Sequence, residues 1–600
     1  MFRIEERDIQ FNLYEYLKLE ELLTLPAFRE FDRETFDLLL RNAFDLAKEV
    51  VAPVNAPGDR AGCRLDEQGQ VRVPPEYHAA YKAVREGGWF GLSDPVEWGG
   101  QGVPELLRMA AWEAFCGASC ALMMYPGLTQ AAASLIIARG SEEQKKTFAE
   151  KLLSGVWGGT MCLTEPQAGS AVGDSRTSAK KIREGWYKIQ GTKIFISSGD
   201  SDLVENTVHL VLARTPDAPP GVKGLSLFIV PKFRVGPDGK PGPFNDVNVA
   251  GIEHKMGIKG SATCTLAFGD NDQCEGWIVG NEGDGIAIMF HMMNEARLGV
   301  GLLSLAVSAA THLEALDYAR ERIQGVDARQ MKDPNARRVP IIEHPDVRRM
   351  LLTQKAYVHG LRALMYRVAR WGDVARHGSG EEQEKCQALV DLLTPICKGY
   401  GSDRANDVAA ASVQILGGYG YCQEYPCEQY QRDARIFTIY EGANGIQAMD
   451  LVGRKLGMKR GMVFMTFLGE IQGFLAKAKE HPALKDCAAE LEKSVEDLQG
   501  IAMTFMGKNM SGEVLYVLLQ ATPFLKFMGN TVTAWLLGEQ ALLAADKFAA
   551  LGKGVDDPEA AFYDSKVKIA RFFFKNLLPE NRAICQGILA EDTSALDVVL

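Results

Sequence analysis

The 600 residues contain no paired-cysteine motif, no long uncharged run free of turn residues and no excess of positive charge, and each of these absences removes a class of protein. Twelve cysteines are scattered without a CxxC spacing or a short loop framework, so neither a disulfide scaffold nor a tetrahedral metal site is expected. Cys116 with Cys120, and Cys422 with Cys427, are the nearest pairs, and no histidine cluster joins them. Lys+Arg 66 against Asp+Glu 77 leaves a formal net charge of −11, which disfavours non-specific binding to nucleic acid or an anionic membrane. The charged start, Met1-Phe-Arg-Ile-Glu-Glu-Arg-Asp8, lacks a signal-peptide core and the acid-poor bias of a transit peptide, so a cytoplasmic protein with reduced thiols is expected. From Cys116 to Ala138 there is no charge, enough to span a bilayer, but Pro126-Gly127 in its middle predicts two buried helices meeting at a turn. There is also no G-x-G-x-x-G after a strand pattern, no Walker A loop, no HExxH and no GxSxG, which leaves nicotinamide, nucleotide, zinc-protease and serine-elbow chemistry without their usual marks.

What is present reads as helix, then strand, then helix. Residues 1–158 carry apolar residues at three- and four-residue spacing, as in Phe36–Ala52, Arg108–Met124 and Thr129–Arg139, and Ser141-Glu-Glu-Gln144 is a capping box. Residues 159–282 change texture: Trp186–Ile196, Val208–Ala213, Leu225–Val230 and Thr263–Phe268 are β-branched or aromatic runs separated by Gly, Pro, Asn and Asp, which predicts a sandwich or barrel. In residues 283–460 the helical period returns with a long stripe from Ile286 to about Arg322, then Val347–Trp371, Glu381–Tyr400 and Ala405–Leu416. Residues 461–600 are a further all-α block: Phe464–Glu480, Ala488–Gly507, Val514–Leu525, Thr531–Leu551 and Asp556–Phe574.

Three segments carry candidate chemistry. Met161-Cys-Leu-Thr-Glu-Pro-Gln-Ala-Gly-Ser170 is a turn that offers backbone N–H groups and two hydroxyls to a polar ligand edge, or simply joins two strands. Gln414-Ile-Leu-Gly-Gly-Tyr-Gly-Tyr421 is either a helix stop or a place where backbone approaches a flat or phosphorylated ligand. In Arg432-Asp-Ala-Arg-Ile-Phe-Thr-Ile-Tyr-Glu441-Gly-Ala-Asn-Gly-Ile-Gln447 a carboxylate follows an apolar run. An apolar pocket would raise its pKa toward that of a working base, whereas a helix-start glutamate would be merely a favourable first-turn charge.

In this order, with the Lys193-Ile-Phe-Ile-Ser197 strand, these segments resemble the acyl-CoA dehydrogenase family from about residue 35 to 460. The appended helices and His254-Lys-Met-Gly-Ile-Lys-Gly-Ser261 resemble its long bacterial members, including the methylthiopropanoyl-CoA group. The resemblance implies a mainly α fold with a central β domain, FAD as cofactor and an acyl-CoA thioester dehydrogenated between Cα and Cβ. Glu441 matches the family base, with the Glu441 N–H and a flavin hydroxyl stabilising enolate-like charge. It further implies that Met161, Leu163, Thr164, Ser170, Phe195 and Ser197 border the flavin. Arg322, Gln324, Gln414, Gly417 and Gly418 would hold the cofactor's other half across a subunit interface, making a homodimer or larger. Ser170, Asn294, Arg297, Tyr440 and Gly442 match substrate-side positions. Ser197 stands where Thr is frequent, Ala443 replaces a frequent Thr, Gln324-Gly325 a Thr-Phe pair, and His344-Pro345 a His-Gln. An electron-transfer flavoprotein is the implied acceptor. The alternatives are an acyl-CoA oxidase using O2 and a non-catalytic assembly homologue; a nitroalkane-oxidising relative would typically carry Asp in place of Glu441.

Overall fold

Periodicity placed most helices because burial of one apolar face is what stabilises them, and the computed structural model, which describes residues 2–600, shows where those faces go. Two compact units divide the chain: Phe2 with residues 33–104 and 111–299 in one, residues 3–32, 105–110 and 300–600 in the other.

The first unit combines the early helices with the β region. Its helix Glu142–Leu153 begins with the expected capping box, Ser141 Oγ accepting from Gln144 N and the Gln144 side chain accepting from Ser141 N. The sheet has eight strands, and seven run in the order Val247–Ile252, Thr263–Phe268, Trp186–Ser197, Glu275–Val279, Leu225–Pro231, Asn206–Arg214, Trp157–Cys162. The eighth, Ser178–Arg183, pairs alongside Trp186–Ser197. Neighbours are antiparallel except where Trp157–Cys162 and Ser178 meet Asn206–Arg214. The twelve-residue strand Trp186–Ser197 is the hinge of this arrangement. Residues 186–188 pair with Glu275–Val279, and residues 191–197 pair with Thr263–Phe268. Gly191 begins the second of those halves, and an added Cβ there would lie 2.5 Å from Thr177 Oγ1.

One sequence expectation changes here. The helix break lies at Ser119, which is extended (φ −158, ψ 93), and Pro126 is inside the single helix Cys120–Arg139. Fourteen of its residues are buried, so packing on nearly every side outweighs the one N–H that Pro126 cannot donate. Cys120–Arg139 and Gly285–Glu321 are both long and apolar enough to cross a bilayer, and most of each apolar window is packed inside the protein.

The second unit holds the helices Pro345–His377, Gly380–Pro395, Gly401–Leu416, Cys427–Arg435 and Asn444–Asp450, followed by the appended helices. Among the latter the expected pair 514–525 and 531–551 is differently divided. Val514–Leu519 is short, and Ala521–Leu551 is one 31-residue helix. Gly529 and Asn530 do not break it, because both are packed into the unit's interior.

Residues 3–32 bury charge in this same unit. Arg362 Nη1 donates to Glu5 Oε2 (3.0 Å) and Asp8 Oδ2 (2.5 Å), Lys566 Nζ pairs with Asp8 Oδ1, and Gln540 Nε2 donates to Asn12 Oδ1 (2.7 Å). Glu5, Asp8 and His359 converge closely enough to ligate a cation, but Lys566 and Arg362 already supply the positive charge there. Burial alone would raise the Asp8 carboxyl; His359, Lys566 and Arg362 outweigh it and hold the group well below the ordinary carboxylate range. Burial also pushes His359 down to about 4 and, in the first unit, His209 down to about 3.

Two outcomes follow. Lys566→Met leaves Asp8 Oδ1 without its lysine while Arg362 still pairs with Oδ2, and costs about 1–3 kcal/mol in chemical denaturation, while adding Asp8→Asn recovers part of that loss. For both histidines the unfolded chain binds the proton more tightly, so stability falls as pH drops from about 6.5 towards 4. His209→Gln should flatten that limb of a Tm-against-pH curve.

Candidate active site

In the first unit, two of the segments singled out in the sequence lie side by side. Ile194 N donates to Thr164 O (2.9 Å), and the fully buried Lys193 ammonium donates to Leu163 O (3.0 Å) and to Glu165 Oε1 (2.7 Å). Glu165 also accepts from the N–H of Arg176 (2.7 Å) and Thr177 (3.1 Å), so its carboxylate gathers the whole turn. Burial raises the Glu165 carboxyl, but the Lys193 charge and these donors prevail and bring it to about 2. Around this pair, Met161, Thr164 and Ser197 are half-buried, Leu163 is buried and Ser170 is exposed. Phe195 presents 59% of its surface from a left-handed backbone (φ +57). Asn294 and Arg297 share one face of Gly285–Glu321, joined by a 3.4 Å hydrogen bond from Arg297 Nη1 to Asn294 Oδ1.

Sequence reasoning passed over Glu165 and Lys193 as a pair, although a lysine among Thr192, Ile194 and Phe195 in a strand was a signal that it needed a buried counter-charge. It also missed Ser134, whose Oγ donates to Glu295 Oε1 (2.7 Å) and lies 3.2 Å from His291 Nε2. These three residue types suggest a hydrolytic relay. However, Glu295 Oε1 lies 3.4 Å from the same Nε2 that faces the serine, so the carboxylate does not orient the ring through Nδ1 as a relay requires.

In the second unit, Arg322, Gln324, Gly417 and Gly418 line one cavity of about 500 Å³, together with Tyr318, Tyr419 and Cys422. Gly417 ends the helix Gly401–Leu416 with φ +63, its N–H donating to Gln414 O. Neither Gly417 nor Gly418 would meet another atom within 4 Å of an added Cβ, so both leave open space over the backbone. The Arg322 guanidinium lies 5.5 Å from the Tyr419 ring centre, and Tyr419 packs against Tyr425. A cation, exposed main chain and an aromatic wall fit a phosphate attached to a flat heterocycle. Gln414 is exposed one turn earlier on the helix and is not part of the lining.

Glu441 is also in this unit, half-buried, at the end of the apolar run that includes the stacked pair Phe437 and Tyr440. Its backbone is left-handed (φ +56), and Gly442 after it has φ +84. Glutamate pays about 1–3 kcal/mol to occupy that region, so neighbouring structure must hold it there. The helix Asn444–Asp450 starts only after this turn, which sets Glu441 outside a first helical turn.

Comparison with known proteins follows the same order of segments. Residues 34–156, 160–271 and 283–457 match the N-terminal, middle and C-terminal domains of acyl-CoA dehydrogenase. Residues 467–598 match the "Acetyl-CoA dehydrogenase C-terminal like" family. The broad-specificity linear acyl-CoA dehydrogenase FadE5 of Mycobacterium tuberculosis is 41% identical, over 96% of each chain. The 3-methylmercaptopropionyl-CoA dehydrogenase of Ruegeria pomeroyi is 39% identical, over 96% of this chain and 95% of its own. An acyl-CoA dehydrogenase from Bacillus anthracis, solved with FAD, shares the fold over 96% of this chain and 91% of its own, with a TM-score of 0.73 at 21% identity. The chain belongs to the acyl-CoA dehydrogenase family, in a form that carries an additional C-terminal helical domain.

Proposed function

We propose that the protein is an FAD-dependent acyl-CoA dehydrogenase that converts an acyl-CoA thioester to its trans-2-enoyl product, with Glu441 removing the α proton. The observation that carries this reading is the left-handed conformation of Glu441. Strain of that kind persists where a side chain must be aimed, and here it falls on the one carboxylate that follows the apolar run.

An α proton of a thioester is far too weak an acid for an ordinary carboxylate. The Glu441 N–H lowers that barrier by donating to the thioester carbonyl, so that developing enolate charge meets a fixed dipole. Tyr440 and Gly442 flank the base, one supplying an apolar wall and the other leaving room for substrate. Asn294, Arg297 and the Ser170 hydroxyl serve as substrate-side polar groups. Bound FAD would supply the hydride acceptor for the β hydrogen.

The residues present suit that cofactor. Arg322 and the open space over the Gly417–Gly418 backbone offer a cation and close approach to its diphosphate, with Gln324 beside them and Gln414 on the same helix end. Thr164, Ser197 and the exposed Phe195 ring, with Met161 and Leu163, supply hydroxyls and apolar surface for its ring system. The Arg322–Gly418 cavity would hold the diphosphate end of FAD bound by a second copy of the chain, which would make the assembly at least a homodimer. Electrons leave to an electron-transfer flavoprotein. The linear acyl-CoA esters and the thioether ester named for the two curated relatives form the first substrate panel.

Glu441→Gln should retain yellow FAD yet slow anaerobic bleaching by every member of that panel by about 10²–10⁴-fold. Bleaching by this variant at the native rate would assign the base elsewhere. Arg322→Ala should weaken FAD binding about ten- to a hundredfold, read from the flavin-to-protein ratio after gel filtration and from titration of the apoprotein.

A further inference from the structure

Nothing in the reaction assigns a task to residues 467–598, or to the buried lysine at position 398. Both connect to the turn that carries Glu441. Gln447, fully buried on the helix Asn444–Asp450, donates from Nε2 to Glu441 O (3.4 Å) and Gly442 O (3.2 Å). Two carbonyl partners determine which way its amide faces, and Gln447 Oε1 is left buried without a partner. An added Cβ at Gly442 would lie 2.6 Å from that Nε2, so the side chain is seated hard against the turn. A trans peptide carries its N–H opposite its C=O. Drawing both carbonyls onto Gln447 therefore sets the backbone plane from which the Glu441 side chain departs.

Gln447 is itself held from below. Asn444, one turn earlier, accepts from Lys398 Nζ (2.9 Å) and Ser402 Oγ (3.1 Å) and donates to Gly399 O (2.9 Å) and Asp403 Oδ1 (2.7 Å). Lys398 and Gly399 lie in the π-helical turn Ile396–Tyr400. Such turns interrupt a regular helix at an energetic cost and recur at functional sites. On its other side this turn meets the appended helix Ala521–Leu551. An added Cβ at Gly399 would lie 2.7 Å from Leu525 Cδ2 and 3.4 Å from Gln447 Cβ, and one at Gly529 would lie 2.3 Å from the Tyr400 ring. Leu525 and Gly529 are four residues apart, on one helix face, and Tyr400 OH donates to Asn530 Oδ1 (3.0 Å) next to them.

We propose that the appended helix Ala521–Leu551 is a buttress for the catalytic turn: through Gly399, Lys398 and Asn444 it fixes Gln447, a positioning residue that holds Glu441 in its left-handed conformation. This rests on Glu441 being the base. Residues 467–598 thereby act on the reaction without touching substrate.

The test uses the full-length, FAD-loaded enzyme with butyryl-CoA and octanoyl-CoA as probes, following the limiting rate of anaerobic bleaching and its pH dependence. Gln447→Met removes the donor at similar volume and should lower the limiting rate about ten- to a hundredfold, with half-saturation within about twofold because ground-state binding is untouched. Gln447→Glu should regain rate as pH falls, when its protonated carboxyl donates again. Leu525→Ala should slow the same step. The double variant Gln447→Met/Leu525→Ala should be no slower than Gln447→Met alone, since both act through one contact. Native limiting rates and a native pH profile in FAD-loaded Gln447→Met or Leu525→Ala would overturn the buttress. Should Leu525→Ala not fold, Leu525→Met and Tyr400→Phe carry the same comparison. Glu441→Gln run alongside separates the two readings. If it turns over normally the base assignment fails, and if it is inactive while the buttress variants are unaffected only the buttress fails.

Discussion

A glutamate held on left-handed backbone is the constraint around which the second unit is arranged. L-residues other than Asn and Asp seldom occupy that region without outside support. The support here is layered. Gly442 gives up its side chain to admit the Gln447 amide, Asn444 anchors the helix bearing Gln447, and Gly399 lets that helix and the appended one approach the same π-helical turn. Each layer sacrifices something: a side chain, a regular helical hydrogen bond, an unpaired amide oxygen. A site that needed only a surface carboxylate would require none of these.

Charge is handled in the same spirit elsewhere. Lys193 and Glu165 are both buried, and Glu165 also gathers the N–H groups of Arg176 and Thr177. The ion pair thus shapes a turn. Around Asp8, a cluster of two acids, an arginine, a lysine and a histidine ties residues 3–32 to the long helices Pro345–His377 and Pro558–Phe572. Glu5, Asp8 and His359 lie close enough together to ligate a cation, but the cations already present answer the acids' charge.

Much of the architecture was legible because it depends on local periodicity. Gly285–Glu321 follows its apolar stripe almost to the residue, and Trp186–Ser197 follows its alternating β-branched and aromatic run. Weaker patterns were lost. Trp157–Cys162 contains two glycines and is not among the expected strands, and it becomes a strand because a parallel neighbour, Asn206–Arg214, completes its hydrogen bonds. Pro126 and Gly529-Asn530 look like breaks, and tertiary burial holds both within helices. For the site, motif spacing was enough to single out Glu441 and the Gly417–Gly418 pair, whereas Gln447 was visible only as the last residue of a motif, with no hint of what it grips.

The covalent order of the chain determined the family, the α–β–α–α plan and the identity of the residues at the turn, since these are carried by local pattern and by side-chain chemistry. Which side chain bears on which turn, where residues 3–32 bury their acids, and why Glu441 tolerates its backbone were decided by the tertiary structure. These depend on contacts between residues tens to hundreds of positions apart, and such contacts exist only once burial has removed the competing water.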